Sequence, residues 1–256
     1  MPSRRQFLSS TAALGTITLM PFTATAAGDS PDTYPTASGA VIVRPIAHAS
    51  IVLETPAGVI YVDPVGDASL YADQPAADMI LITHEHGDHY NADTLAAVAR
   101  DDTPFIVNPA VMAMLPETMQ ARSTAIGNGD ATTWGAVTID AIPAYNTTEG
   151  RLNFHPKGRD NGYVLTIDGL RIYVSGDTEG VPEMRALQNI DVAFVSMNLP
   201  FTMDAAAAAE AVSAFAPSYV YPYHYRGRDG GTQDPAAFAA LVSAATQTKF
   251  GNWYGA

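Results

Sequence analysis

The chain has 256 residues, enough to bury one sizeable core as a single large domain. Hydrophobic residues make up 47% and charged residues 15%, the balance of a globular and not a disordered protein. With 13 basic against 26 acidic residues it lacks the cationic surplus of a nucleic-acid binder, and the absence of cysteine excludes disulfides, thiolate metal ligands and cysteine nucleophiles while leaving the redox compartment open.

The N-terminus reads MPSRRQFLSSTAALGTITLMPFTATAAGDS. Arg4-Arg5 and Phe7-Leu8 precede a mildly apolar stretch from Ala12 to Phe22, and Ala24-Thr25-Ala26 supplies a small-x-small cleavage site. The segment resembles a twin-arginine export signal. Its apolar stretch falls short of the roughly 20 residues of a membrane span, and without cysteine there is no lipoprotein anchor. The expectation is a signal peptide over 1–26, a loose turn-rich arm over 27–39, and one domain over 40–256. The product would be exported without a stable membrane anchor, and periplasmic where the host has two membranes.

Further along, Val41-Ile42-Val43 leads into a strand-like run from Pro45 to Glu54, and Val59 to Asp63 follows the turn Thr55-Pro56-Ala57-Gly58. Together they predict an antiparallel hairpin. Met79 to Thr83 is a short apolar strand, and Asp93 to Arg100 predicts a helix capped by Asn91 or Asp93. Phe105-Ile106-Val107 and Val137-Thr138-Ile139 are further strands. Tyr163 to Val174 predicts a hairpin turning at Asp168-Gly169. Ile190 to Val195 and Tyr219-Val220-Tyr221 read as strands, and Asp204–Phe215 and Pro235–Thr246 as helices. Strand groups interrupted by helices, with no internal repeat, predict packed sheets flanked by helices.

The chemistry concentrates at THEHGDH, residues 83–89, behind the apolar run Met79 to Ile82. Three of the chain's six histidines lie there beside two carboxylates, whereas ordinary polar loops draw on Asp, Asn, Ser and Gly. Neutral imidazole and carboxylate are ligands for zinc-like ions. His84 and His86, two apart in extended chain, share a side; a turn at Gly87 brings Asp88 and His89 toward a second position. The helical zinc motif H-E-x-x-H is not met, because Asp88 stands where its second histidine belongs.

His84-Glu85-His86-Gly87-Asp88-His89 resembles the His-x-His-x-Asp-His signature of the metallo-β-lactamase superfamily. Ser175-Gly176-Asp177-Thr178, after a strand, is similar to that family's Gly-Asp-Thr segment, and His224 in YVYPYHY to its final metal-binding histidine. The stretch HASIVLETPAGVIYVDPVG looks like the opening of the branch containing ascorbate-phosphate lactonases and related hydrolases. The resemblance implies an α/β (α+β) fold, a four-layered αβ/βα sandwich. It implies His84 and His86 on one divalent ion, Asp88, His89 and His224 on another, and Asp177 between them. A metal lowers the pKa of bound water toward 7 and polarises a scissile carbonyl or phosphoryl group. Asp88 would orient the hydroxide so formed.

One position departs from the family. A further histidine ligand is expected in the loop before the Gly-Asp-Thr segment, but Pro143-Ala144-Tyr145-Asn146 places Asn146 there. His155, nine residues on, either completes the first site or contacts substrate while Asn146 acts as a weak ligand. His48 and Asp63 are each open to a purely structural role or to one holding a metal ligand in place. Arg151, Lys157 and Arg159 surround His155, and Arg226 and Arg228 follow His224, so a large share of the few cations flanks two candidate ligands. This pattern suits an anionic small molecule. Tyr145, Tyr221, Tyr223 and Tyr225 are candidate pocket walls, with Tyr221 read in preference as core.

The sequence reading is therefore a metal-dependent hydrolase with two divalent ions, zinc in the first instance and manganese or iron as alternatives. Its expected substrate is a small anionic lactone or ester. Phosphodiesterase and β-lactamase activities are the alternatives, and a non-catalytic metal-binding protein of the same fold is the reading of another class.

Overall fold

The computed structural model describes residues 31–255, so the expected signal peptide at 1–26 lies outside the described residues. Strands β1 (Asp32–Pro35), β2 (Ala40–Ala47), β3 (Ser50–Thr55), β4 (Gly58–Val62), β5 (Met79–Ile82), β6 (Phe105–Val107) and β7 (Ser123–Ala125) lie side by side in that order. Neighbours from β1 to β4 run antiparallel, and those from β4 to β7 run parallel. Helices α1 (Ala92–Val98), α2 (Pro109–Met114) and α3 (Glu117–Gln120) occupy the crossovers.

A second seven-stranded sheet follows the same plan. Strands β8 (Ala131–Trp134), β9 (Val137–Ala144), β10 (Asp160–Ile167) and β11 (Leu170–Val174) are antiparallel neighbours. Strands β12 (Val192–Ser196), β13 (Tyr219–Tyr223) and β14 (Gln247–Thr248) then continue in parallel. Helices α4 (Pro182–Arg185), α5 (Ala205–Phe215) and α6 (Pro235–Leu241) make the connections. Two halves without evident sequence repetition thus share one topology.

The layers follow from side-chain parity. On β5, Met79 and Leu81 enter the core between the sheets, where Val43, Leu53 and Ile60 meet Ile139, Leu165, Phe194 and Tyr221. Ile80 and Ile82 point the other way, packing with Phe105, Leu95 and Val111 under the first helix layer. On the far side Val164, Ala193 and Val195 pack with Ala208, Val212 and Phe238. Each central strand is buried on both faces, which is why it reads as a continuous apolar run. The result is the four-layered αβ/βα sandwich. Among the described residues no helix is long and apolar enough to cross a membrane.

Local signals explain most boundaries. Asp204 caps α5 by accepting from the Ala207 amide at 2.8 Å, and Ala216 ends it in a left-handed conformation before Pro217. Asn91, not Asp93, caps α1. Asp168 and Gly169 take positive φ at the β10–β11 turn, as their pairing predicts.

Three expectations need correction. The run Pro45 to Glu54 is not one strand: the chain reverses at His48, with φ 52°, so β2, β3 and β4 form two successive hairpins. The last helix stops at Leu241 and not Thr246, leaving room for β14. Part of the supposed arm is structured, since Asp32–Pro35 pairs with β2. There Tyr34 is buried with its hydroxyl 2.6 Å from that of Tyr221, which donates in turn to Asp32 at 2.5 Å.

Candidate metal centre

Parallel strands present their C-terminal ends at one edge of each sheet, and the candidate residues sit immediately past those ends. Asp63 follows β4, Thr83 to His89 follow β5, Asp177 follows β11, Asn198 follows β12 and His224 follows β13. The β2–β3 turn adds His48, and the loop between β9 and β10 adds His155. Gly176 makes the close approach possible, with φ 59°. A Cβ there would lie 2.8 Å from the Asn161 carbonyl and 3.1 Å from Thr83.

All six histidines of the chain meet at this edge. Three groups have ligand atoms within 4.8 Å of one another: His84, His86 and His155; His84, His89 and Asp177; His48, Asp88 and His224. His84 Nε2 is 3.1 Å from His86 Nδ1. Asp177 stands between the groups, with Oδ1 3.5 Å from His89 Nε2 and Oδ2 3.5 Å from His155 Nε2 and 3.6 Å from His224 Nε2. His224 Nε2 also lies 3.3 Å from Asp88 Oδ2. His89 Nε2 and Asp177 Oδ1 are buried without a hydrogen-bond partner among the described residues. Buried polar atoms are rarely left so, and a divalent cation would satisfy both. The nitrogen-and-oxygen donor set suits zinc, manganese or iron.

The remote ring nitrogens fix how three histidines present themselves. Asp160 and Asp63 are fully buried carboxylates that only accept. His155 Nδ1 faces Asp160 Oδ2 at 3.0 Å, and His89 Nδ1 faces Asp63 Oδ2 at 2.7 Å, so each Nδ1 carries a proton. Thr83 donates its hydroxyl to Asp63 at 2.6 Å and is left to accept from His84 Nδ1 at 3.0 Å. In all three rings the Nε2 atom is therefore aimed at the centre, the arrangement by which carboxylates orient ligand histidines. Asp63 takes this role while also accepting from the Thr83 amide at 2.7 Å. Asp63, His48 and His224 all adopt positive φ, and such strain clusters at functional sites.

Burial and charge act against each other here. Burial, helped by neighbouring His89, holds His84 well below the ordinary imidazole value, and burial also lowers His86 and His48. Burial would likewise lower His89, but the Asp177 and Asp63 carboxylates outweigh it and raise His89 well above its ordinary value. For Asp177 and Asp88, burial favours the neutral acid, yet the surrounding imidazoles hold both below the usual carboxylate range.

Of the two candidates for the departed family ligand, the structure brings His155 and not Asn146 to the other histidines. The Asn146 amide donates to the Phe201 carbonyl at 2.6 Å and the Arg151 carbonyl at 3.0 Å, and its backbone amide donates to the His155 carbonyl. It clasps the loop that carries His155. Tyr145 and Lys157 also turn elsewhere. The Tyr145 hydroxyl donates to Glu183 at 2.9 Å, and the Lys157 ammonium lies over the Tyr145 ring and pairs with Glu183. Tyr223 is buried in the core between the sheets.

Of the flanking cations, Arg151 pairs with Glu179, and Arg159 with Glu85 and Asp160. Arg226 and Arg228 are exposed and pair with no carboxylate among the described residues, lying instead over the rings of Tyr254 and Phe201. Sequence reading missed Asp160, Asn198, whose amide lies against His224 Nδ1, and Tyr254, 2.9 Å from His48 Nδ1. No spacing rule links these residues to the histidines; only the topology does.

Comparison with known proteins agrees with this geometry. A family model described as the beta-lactamase superfamily domain matches residues 43–224. A UPF0173 metal-dependent hydrolase of Pelotomaculum thermopropionicum is 32% identical over 181 residues, which are 68% of this chain and 78% of that protein. A crystal structure from Parabacteroides distasonis, described as a metal-dependent hydrolase, is 41% identical with a TM-score of 0.77, covering 86% of this chain and 97% of that one. The diiron β-hydroxylase CmlA of Streptomyces venezuelae shares the fold at 17% identity and a TM-score of 0.60, over 79% of this chain and 47% of its own. With the matched segment running from β2 to His224 and enclosing every histidine of the centre, the chain belongs to the metal-dependent hydrolases of the metallo-β-lactamase superfamily.

Proposed function

We propose that the chain is a two-metal hydrolase of small anionic lactones or esters. The observation that carries this reading is the placement of Asp177 between two groups of imidazoles, of which His84, His89 and His155 have their remote nitrogens already committed. His84, His86 and His155 would hold one divalent ion, and Asp88, His89 and His224 the other, with Asp177 shared. Zinc suits the donor set, and the absence of thiolates leaves manganese and iron open to elemental analysis. Such ions supply Lewis acidity toward a carbonyl or phosphoryl oxygen and acidify water at neutral pH.

The chain's own residues do the rest. Asp63, Thr83 and Asp160 fix ring tautomers, so the ligand atoms face the centre without rearrangement. Asp88, whose side chain is half-exposed where His84 and His89 are buried, faces the open side and can accept a proton from or orient a nucleophilic water. Arg226 and Arg228, without carboxylate partners among the described residues and on the loop after His224, favour a substrate carrying carboxylate or phosphate.

The test is to purify the protein, count metals per chain, and screen lactones, phosphodiesters and β-lactams with and without a chelator. Two metals and chelator-sensitive lactone or ester turnover support the reading. Turnover of phosphodiesters alone moves it to that class, and bound metal with no turnover of any kind overturns the enzyme. Export through the N-terminal segment is a separate proposal resting on SRRQFL and Ala24-Thr25-Ala26. Fractionation that finds only uncleaved cytosolic protein would overturn it.

A further inference from the structure

His48 is grouped with Asp88 and His224 closely enough to count as a ligand, yet its hydrogen bonds differ from those of the other histidines. Its ring lies on that of His224, with centroids 3.8 Å apart, and its Nε2 is 3.3 Å from Asp88 Oδ2. Its Nδ1 does not meet a carboxylate. It meets the hydroxyl of Tyr254, at 2.9 Å, and that hydroxyl also lies 3.3 Å from the backbone amide of Arg226.

Donor counting gives this chain of contacts a direction. The Asp88 carboxylate can only accept, which calls for a donor at His48 Nε2, and the Tyr254 hydroxyl, accepting from the Arg226 amide, still has its one proton to give to His48 Nδ1. A neutral imidazole that accepts at Nδ1 carries its proton on Nε2, where it donates to Asp88 Oδ2. The opposite tautomer would set the Nε2 lone pair against a carboxylate oxygen at 3.3 Å.

We infer that Tyr254 and His48 are positioning residues that hold Asp88 in place, so that the last residues of the chain complete the metal centre. His48 is then a donor to Asp88 and not a ligand. The tail is anchored for this purpose. Trp253 is buried between the sheets and accepts the His48 amide at its carbonyl, while the His48 carbonyl accepts from the His224 amide. Arg226 lies over the Tyr254 ring, 4.1 Å from its centroid, and helps hold the ring in place. Because Arg226 heads the loop proposed to meet the substrate anion, the tail ties substrate recognition to the orientation of Asp88. That last link rests on the anionic-substrate reading; the positioning of Asp88 does not.

The test uses the full chain, zinc as the probe, and ¹⁵N imidazole NMR to read tautomers. In wild-type protein His48 is expected to be protonated at Nε2, with and without zinc. Tyr254→Phe keeps the ring but removes the hydroxyl, and is expected to move His48 toward the Nδ1-protonated form. His48→Ala is expected to weaken zinc binding about 10- to 100-fold, the usual effect of losing a group that orients a ligand. His48→Gln retains an amide donor toward Asp88 and is expected to restore affinity to within a few-fold, with the zinc count unchanged. An Nδ1-protonated His48 in wild type, or a zinc lost per chain in His48→Gln, overturns the inference and makes His48 a ligand. A wild-type chain that binds no zinc defeats the metal-centre reading instead, and the tautomer of the metal-free protein still decides the direction of the hydrogen bonds.

Discussion

His155 Nδ1 lies 3.0 Å from Asp160 Oδ2, and this buried pair, joined across a tight loop entering β10, turns His155 Nε2 toward Asp177. The carboxylate is held in turn by Arg159, which contacts both of its oxygens. Asp160→Ala removes the acceptor that fixes the ring. If the centre holds two ions as proposed, it is expected to weaken zinc binding at one of them about 10- to 100-fold and leave the other within a few-fold. Competition with a chromophoric chelator resolves the two affinities, and equal weakening of both would show that Asp160 supports the edge as a whole.

Asn146 gives the complementary case. Asn146→Ala removes two donors to half-buried carbonyls and leaves the loop less tightly held, at about 2 kcal/mol of stability. Metal stoichiometry should stay at the wild-type value, since the amide group serves the loop and not an ion. Thermal unfolding read beside elemental analysis checks both halves of the statement.

Metal uptake should release protons. In the metal-free chain the Asp177 and Asp63 carboxylates overcome the effect of burial and raise the His89 pKa above its ordinary value, which favours a proton on the ring where an ion would bind. An ion taking Nε2 must displace that proton. Zinc binding by calorimetry should therefore depend on buffer ionisation enthalpy, in the sense of net proton release. Raising the pH through the His89 value removes the competing proton and strengthens binding; lowering the pH weakens it. If His89 is a ligand as proposed, His89→Gln should lower both the proton release and the metal bound per chain.

The first strand should contribute stability out of proportion to its four residues. Tyr34 is buried in the core between the sheets and reaches Tyr221 and, through it, Asp32, which Lys249 also contacts at 3.0 Å. Tyr34→Ala should destabilise the fold by about 3 kcal/mol, with denaturant midpoints as the readout. A cost near zero would restore the reading of this segment as a loose arm.

The sequence disclosed what is local. THEHGDH follows directly on an apolar strand, the Asp168-Gly169 turn fixes its hairpin, and the Asp204 cap starts α5 where it should. Asp177 and His224 were legible because each sits in a recognisable segment after a strand. What stayed hidden depends on distance along the chain. Asp160, Asn198 and Tyr254 are ordinary polar residues whose meaning comes from strands that bring them against histidines up to 206 positions away. His48 was misplaced for another reason: a histidine inside an apolar run resembles strand, and only its positive φ makes it a corner. The DTYP segment looked like loop because its turn-forming residues outweigh one tyrosine that finds its partner on β13.

The repeated topology has a consequence for assembly. His84, His86, Asp88 and His89 come from the first half of the chain, while His155, Asp177 and His224 come from the second. Neither half owns a complete centre, and Asp177 reaches across to His89. An ion held there would act as a rivet through the seam. Its binding energy would add directly to the cohesion of the halves, so that the fold would be strongest in the state in which the centre is loaded.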